Sequence, residues 1–242
     1  KTDSLEWKKM LLKNKWWANG GMIQYNTPSQ LMTLQGVSLK NTALLAFAFD
    51  TMSLRPRLDR DSFWRSQPFE KDHMSISMGK TYSNDIKLNL DSAKPTIAIG
   101  KLYVKDLSLT PQRDKTRPED TVTYRPLLAT QIMSIPLKMK IDSLLLSNGQ
   151  VRYHEITQKS GKEAYLMIDR IRGSVSNIKT YDIKEKDSLF VVINSTRLYG
   201  KGPMRMNFRQ SYTDTLQGFW LRTRMGKFDM QEMNALLLPQ IG

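Results

Sequence analysis

The segment Gly21-Met22-Ile23-Gln24-Tyr25-Asn26 returns 128 positions later as Gly149-Gln150-Val151-Arg152-Tyr153-His154. Both read Gly-x-(Ile/Val)-x-Tyr-(Asn/His). Each is followed by an apolar run that reaches a Gly-x-Val-like turn, at Gly36-Val37 after Leu31 and at Gly173-Ser174-Val175 after Leu166. The second copy carries a longer hairpin over residues 158–163. A unit that recurs with turns of different length is how sheet arrays are assembled, and it constrains the fold more than any single motif does. Repeated sheet units build surfaces and grooves; they seldom converge on one catalytic constellation.

The rest of the chain reads the same way. Runs of period two, rich in β-branched and aromatic residues, are separated by turn residues every eight to twelve positions. They place strands at 21–26, 30–40, 44–54, 74–80, 85–90, 96–110, 138–146, 149–157, 164–171, 188–199, 203–211 and 217–225. The expected fold is mostly β: an antiparallel curved sheet, or sheets, built from two related repeat modules with short capping helices. Residues 1–110 form the first, degenerate module, and 137–242 the second. Residues 111–136 are a connector, proline-rich up to Pro126, with a short helix at Leu127–Ile135. A short helix is expected over 4–13 behind Ser4. Another is expected over 229–238, with Asp229 as cap, Glu232 at the capping-box position and Pro239 as terminator.

The 242 residues suffice for a sizeable core. Cysteine is absent, which removes disulfides, thiolate metal sites and cysteine nucleophiles together. The net charge of +14 is spread over the chain: 19 basic and 13 acidic residues lie in 1–120, and 18 and 10 in 121–242. Without a basic run or a recognised binding motif, this reads as a diffuse basic surface rather than a nucleic-acid footprint. Only His73 and His154 are available as imidazole bases. His154 sits where the first copy has Asn26, and as neighbours in a strand His154 and Glu155 point to opposite faces. Asp59 and Asp61, among Arg55, Arg57 and Arg60, read as a solvated loop. No phosphate loop, nucleophile elbow or metal-ligand spacing occurs. The expectation is a non-enzymatic protein with no cofactor and no metal. No run of 18 apolar residues is present, so no membrane-spanning helix is expected. The chain begins at Lys1 and ends in mid-pattern, which reads as a piece excised from a longer protein.

Two adjacent strands show the cleanest alternation. Met204, Met206 and Phe208 face one way, with Arg205, Asn207 and Arg209 opposite. Phe219, Leu221 and Met225 can share the apolar side, leaving Trp220, Arg222 and Arg224 outside. These six apolar residues are the expected lipid- or partner-facing stripe. Fourteen methionines fit both a plastic core and an adaptable apolar surface.

The string Ile141-Asp142-Ser143-Leu144-Leu145-Leu146-Ser147-Asn148-Gly149-Gln150-Val151-Arg152-Tyr153-His154-Glu155 resembles the repeat of the AsmA-like proteins of Gram-negative envelopes, the superfamily that includes TamB. The stretch from Leu109 through Pro126-Leu127-Leu128 is similar to the connector that precedes that repeat. Gly202 to Met206, followed by Gly226 to Asn234, is similar to its closing element. The resemblance covers most of residues 100–242, with 16–54 as the degenerate first copy. It implies a periplasmic, membrane-anchored protein whose curled sheet shields acyl chains or supports outer-membrane assembly and lipid homeostasis. The anchor lies outside this chain, and no catalytic residues carry over. The partners it implies are phospholipid or another acyl-chain lipid, and envelope proteins. A purely structural interaction scaffold with a sealed core is the second reading, and a basic nucleic-acid-binding module the third.

Overall fold

The computed structural model describes residues 14–41, 44–90, 95–122 and 126–241. The helix expected over 4–13 lies outside them. Among the described residues thirteen strands form one sheet: β1 (Trp16–Asn26), β2 (Gln30–Asn41), β3 (Leu45–Phe49), β4 (Thr51–Pro56), β5 (His73–Met78), β6 (Thr81–Asn89), β7 (Thr96–Lys105), β8 (Ser108–Asp114), β9 (Lys138–Ile156), β10 (Glu163–Lys179), β11 (Ser188–Leu198), β12 (Gly202–Ser211) and β13 (Phe219–Met225). The protein is mostly β, as the alternation predicts. β3 and β4 both pair with β2, and β7 and β8 both pair with β9. β3–β4, β5–β6 and β7–β8 are therefore halves of three interrupted long strands, and spatial order follows chain order. All pairings are antiparallel except those of β7 and β8 with β9. A parallel neighbour needs a crossover, and residues 115–137 supply it.

That crossover carries a helix, α2 (Leu128–Met133). It has no side-chain cap of its own. The buried Gln210 side chain accepts from the Ala129 amide at 2.9 Å instead, so the sheet satisfies the helix start. Ala129, Ile141, Ile178, Leu189 and Tyr212 are buried together there, with Ile132 and Met133 against them.

Several expectations need correcting. Residues 59–61 are not a solvated loop: Asp59 accepts from the Asp61 and Ser62 amides and starts α1 (Arg60–Arg65). Pro239 does not end the last helix. A 3-10 turn at Met230–Met233, capped by Asp229, leads into α3 (Asn234–Ile241), and Pro239 lies within it. Glu232 turns to Lys201, at 2.5 Å, rather than to a capping box. Residues 111–114 belong to β8, not to a connector. β9 is a single strand where two were expected, and β10 runs on to Lys179.

Neither Gly36-Val37 nor Gly173-Ser174-Val175 is a turn; both lie inside strands. The matching points of the two hairpins fall elsewhere. Tyr25 pairs with Met32 and Tyr153 with Leu166. Counting from those pairs, Gly20 corresponds to Asn148 and Gly36 to Arg170. All four take the left-handed conformation, with φ of 78°, 58°, 65° and 52°. A left-handed conformation inside a strand marks a bulge, and both hairpins carry it at the same level. An arginine there is strained. Arg170→Gly is expected to raise stability by about 0.5 kcal/mol, the relief of φ slightly exceeding the added chain entropy. A urea midpoint that falls would show that the Arg170 side chain contributes more than its backbone costs.

Candidate functional site

Residues paired across neighbouring strands share a face, so register traces each face across the sheet. Tyr25 pairs with Met32, Met32 with Leu54, Leu54 with Ile76, Ile76 with Leu109, Leu109 with Val151, Val151 with Ile168, Ile168 with Leu198 and Leu198 with Gly202. Eight apolar side chains thus form one transverse row. At Gly202 the row continues in Phe228, whose ring occupies the place where a Cβ would stand, 2.5 Å away. A second row on the same face runs through Phe49, Thr81, Val104, Leu146, Gly173, Ile193 and Met206.

The two rows flank a line of inserted residues. Phe49 and Leu54, Ile76 and Thr81, Val104 and Leu109, Leu146 and Val151, and Ile168 and Gly173 are each five positions apart, yet each pair lies on one face. Side chains alternate with period two, so each strand holds one extra residue at this level. The register shifts within β1–β2, β9–β10 and β11–β12 and the breaks at Asp50, Gly79 and Asp106 mark the same line. Bulges bend strands, and a bulge line across eight neighbouring strands, β1 to β11 with interrupted halves taken together, creases the sheet. Asn148 ties the crease laterally, donating to Asp106 at 2.5 Å.

Burial gives the direction of the bend. Phe49, Thr81 and Val104 are 7%, 3% and 4% exposed, although the helices rest on β5, β10 and β12. Beside them Gln35, Asp50, Lys80, Lys105, Ser147, Asn148 and Asn194 are exposed. The apolar face is therefore inside the crease and covers itself, and the polar face is outside. The inside of the crease forms a trough. At the β1 edge the inner face is exposed, with Ile23 at 49% and Tyr25 at 61%, and on β5, beyond Ile76 from the crease, Met74 is 37% exposed.

The expected stripe lies on this inner face. Met204 pairs with Met225 and Phe208 with Leu221; Met206 faces Thr223 and Phe219 faces Gln210. The rings of Phe208 and Phe219 stack at 5.7 Å. Met204, Met206, Phe208, Phe219, Leu221 and Met225 thus share a face, interrupted by Thr223 and Gln210, at the β13 edge of a much wider apolar surface. Sequence reasoning missed the rest. A legible signal was the alternation Met74-Ser75-Ile76-Ser77-Met78, whose apolar members all face inward.

One polar network closes the trough wall beneath α3. Glu155, 2% exposed, accepts from Tyr153 Oη at 2.6 Å, pairs with Lys115 Nζ at 2.8 Å and accepts from Gln240 Nε2. Burial pushes the Glu155 carboxyl up, but the hydrogen bonds from Lys115, Tyr153 and Gln240 outweigh it and hold the group below the usual carboxylate range. Burial, then the bond to Glu155, pushes the Tyr153 phenol well up. Beside them Arg113 grips Asp72 through two bonds of 2.7 Å. Thr157 and Ser160 donate to the Pro239 carbonyl at 3.1 and 2.6 Å and hold the end of α3.

The histidines lie apart from this network. His154 stacks on Tyr165, with Nδ1 3.3 Å from Glu163. His73 meets the Leu58 carbonyl through Nε2 at 3.1 Å. Among the described residues no group of three acids or histidines is placed to hold a metal, and no helix is long and apolar enough to cross a membrane. Comparison with known proteins adds no relative: no family model, curated protein or solved structure matches the chain.

Proposed function

We propose that this chain is a non-enzymatic lipid-handling module whose creased sheet shields acyl chains on its inner face. The observation that carries the reading is the transverse row from Tyr25 to Leu198. It lines an apolar path across eight strands, exposed at its β1 end and closed by Phe228 at Gly202. A linear chain laid along such a row gains about 0.8 kcal/mol for each CH₂ taken from water, so ten methylenes outweigh the ordering of one chain. A lipid trough of this kind is what the resemblance to AsmA-like envelope proteins leads one to expect. We place the chain with them, in a Gram-negative envelope, on that ground.

Ile23→Asp and Met74→Asp test it. Both side chains are substantially exposed, so a carboxylate there reaches water, and stability should change by less than about 1 kcal/mol. Binding of a fluorescent fatty acid should fall at least about tenfold, because each charge stands on the inner face one inward-facing position from the row, beside Tyr25 and Ile76. If the parent binds no fatty acid, or both variants bind as the parent does, the trough reading fails. The sealed-scaffold reading then takes its place, for which the closed cluster under α2 is the structural ground.

A further inference from the structure

The outer face of β11, β12 and β13 carries a cluster that the acyl-chain reading does not use. These three strands contain five arginines, Arg197, Arg205, Arg209, Arg222 and Arg224, and no acidic residue. Arg205 stands directly opposite Arg224, and Asn207 opposite Arg222. Like charges paired across strands are destabilising, and no salt bridge offsets this pair among the described residues. Arg205, Arg222 and Arg224 border a hollow of about 550 Å³ with Asn194 and Asn207. The next transverse row is Phe190, Arg209 and Trp220. Phe190 and Trp220 are 40% and 52% exposed, and the Arg209 guanidinium sits 5.4 Å from the Phe190 ring centroid.

We infer that the outer face of β11–β13 docks on an anionic phospholipid surface, with Arg205, Arg222 and Arg224 on the phosphates and Trp220 and Phe190 at the headgroup level. Charge complementarity selects the partner: Arg197 stands opposite Asp169 of β10, but Arg205, Arg209, Arg222 and Arg224 have no carboxylate opposite them, and such a guanidinium patch fits a plane of phosphates. The aromatics select a membrane over a polyelectrolyte, since exposed tryptophan beside basic residues suits the interface between headgroups and acyl chains. The inner side of the same two strands, β12 and β13, bears Met204, Met206, Phe208 and Leu221. If the trough reading holds, docking brings its β13 edge to the lipid it would load. The patch itself does not depend on that reading.

The test uses the whole chain and vesicles of neutral phosphatidylcholine, with or without roughly one-third phosphatidylglycerol. The chain should partition onto the anionic vesicles and not onto the neutral ones. R205Q/R222Q/R224Q should weaken that partition about 100-fold, as expected for three basic residues near the surface. Trp220→Ala should weaken it about fivefold. A control that removes three outer-face lysines elsewhere, K80Q/K101Q/K105Q, should weaken it less than about threefold. Equal losses in the two triple variants would reduce the effect to net charge and overturn the inference. So would tighter binding to duplex DNA than to anionic vesicles at the same salt, which would make the patch a nucleic-acid surface. Fatty-acid binding in vesicle-free solution should be unchanged in R205Q/R222Q/R224Q, so failure of the docking face and failure of the trough read out separately.

Discussion

Gly173→Ala is expected to destabilise the fold by about 3 kcal/mol, more than most single methyl additions. Gly173 lies in β10 beside the crease, opposite Leu146 on one side and Ile193 on the other. A Cβ at this position would stand 2.2 Å from the Val192 carbonyl oxygen and 3.0 Å from the Ile193 Cα. Those atoms belong to the neighbouring backbone, so no rotamer change relieves the clash, and β10 and β11 must move apart where their ladder is already offset. Overpacking a well-filled site costs roughly 1–3 kcal/mol, and a rigid backbone neighbour places this one at the upper end. The urea midpoint should fall while the dependence on denaturant is unchanged. Gly161→Ala is the comparison: its φ is 66° but nothing lies within 4 Å of an added Cβ, so only the left-handed φ, less the chain entropy that alanine saves, remains, about 0.5 kcal/mol. If the two variants prove equally stable, close approach of β10 and β11 does not limit the crease.

The contrast between these two glycines shows what the sequence disclosed. Period-two alternation located nearly every strand, since it follows from burying one face of a sheet. Repetition of the Gly-x-(Ile/Val)-x-Tyr segment located two strands with the same register, Tyr25 to Met32 and Tyr153 to Leu166. The crease was hidden because it breaks the rule used to look for strands. One inserted residue per strand reverses the alternation, so Val104-Lys105-Asp106-Leu107 reads as a strand losing its pattern. Only when Asp106 is seen at φ 54° do Val104 and Leu109 fall on one face. Matching Gly36 to Gly173 by residue type failed for the same reason. The bulge in the second hairpin is at Arg170, and sequence gives no cue that an arginine will take that conformation. The apolar stripe at 204–225 was legible because β12 and β13 have no insertion. The remainder of the inner face was not, because it is assembled from eight strands that each break step.

Glu155→Gln is expected to cost about 2 kcal/mol near neutral pH, and the difference from the parent should shrink on acidification. The carboxylate is 2% exposed and receives Tyr153, Lys115 and Gln240. An amide of the same shape offers one acceptor where three donors converge, so a buried donor goes unpaired. Lys115 is 39% exposed and can turn to water, which keeps the loss below that of a fully buried ion pair. The folded pKa lies below the ordinary glutamate value of 4.5. A lowered carboxyl contributes stability that is fully present above its unfolded pKa and lost as pH falls through the folded one. The parent should therefore lose this share of its stability below about pH 4.5, while Glu155→Gln, with no proton to take up, should not. Gln240 belongs to α3, so the same substitution should speed amide exchange across residues 234–241 before it affects β9. A stability difference that stays constant from neutral to acid pH would mean that Glu155 acts through shape alone. Amide exchange in α3 as slow as in the parent would mean that Thr157 and Ser160, bonded to the Pro239 carbonyl, hold that helix over the trough without it.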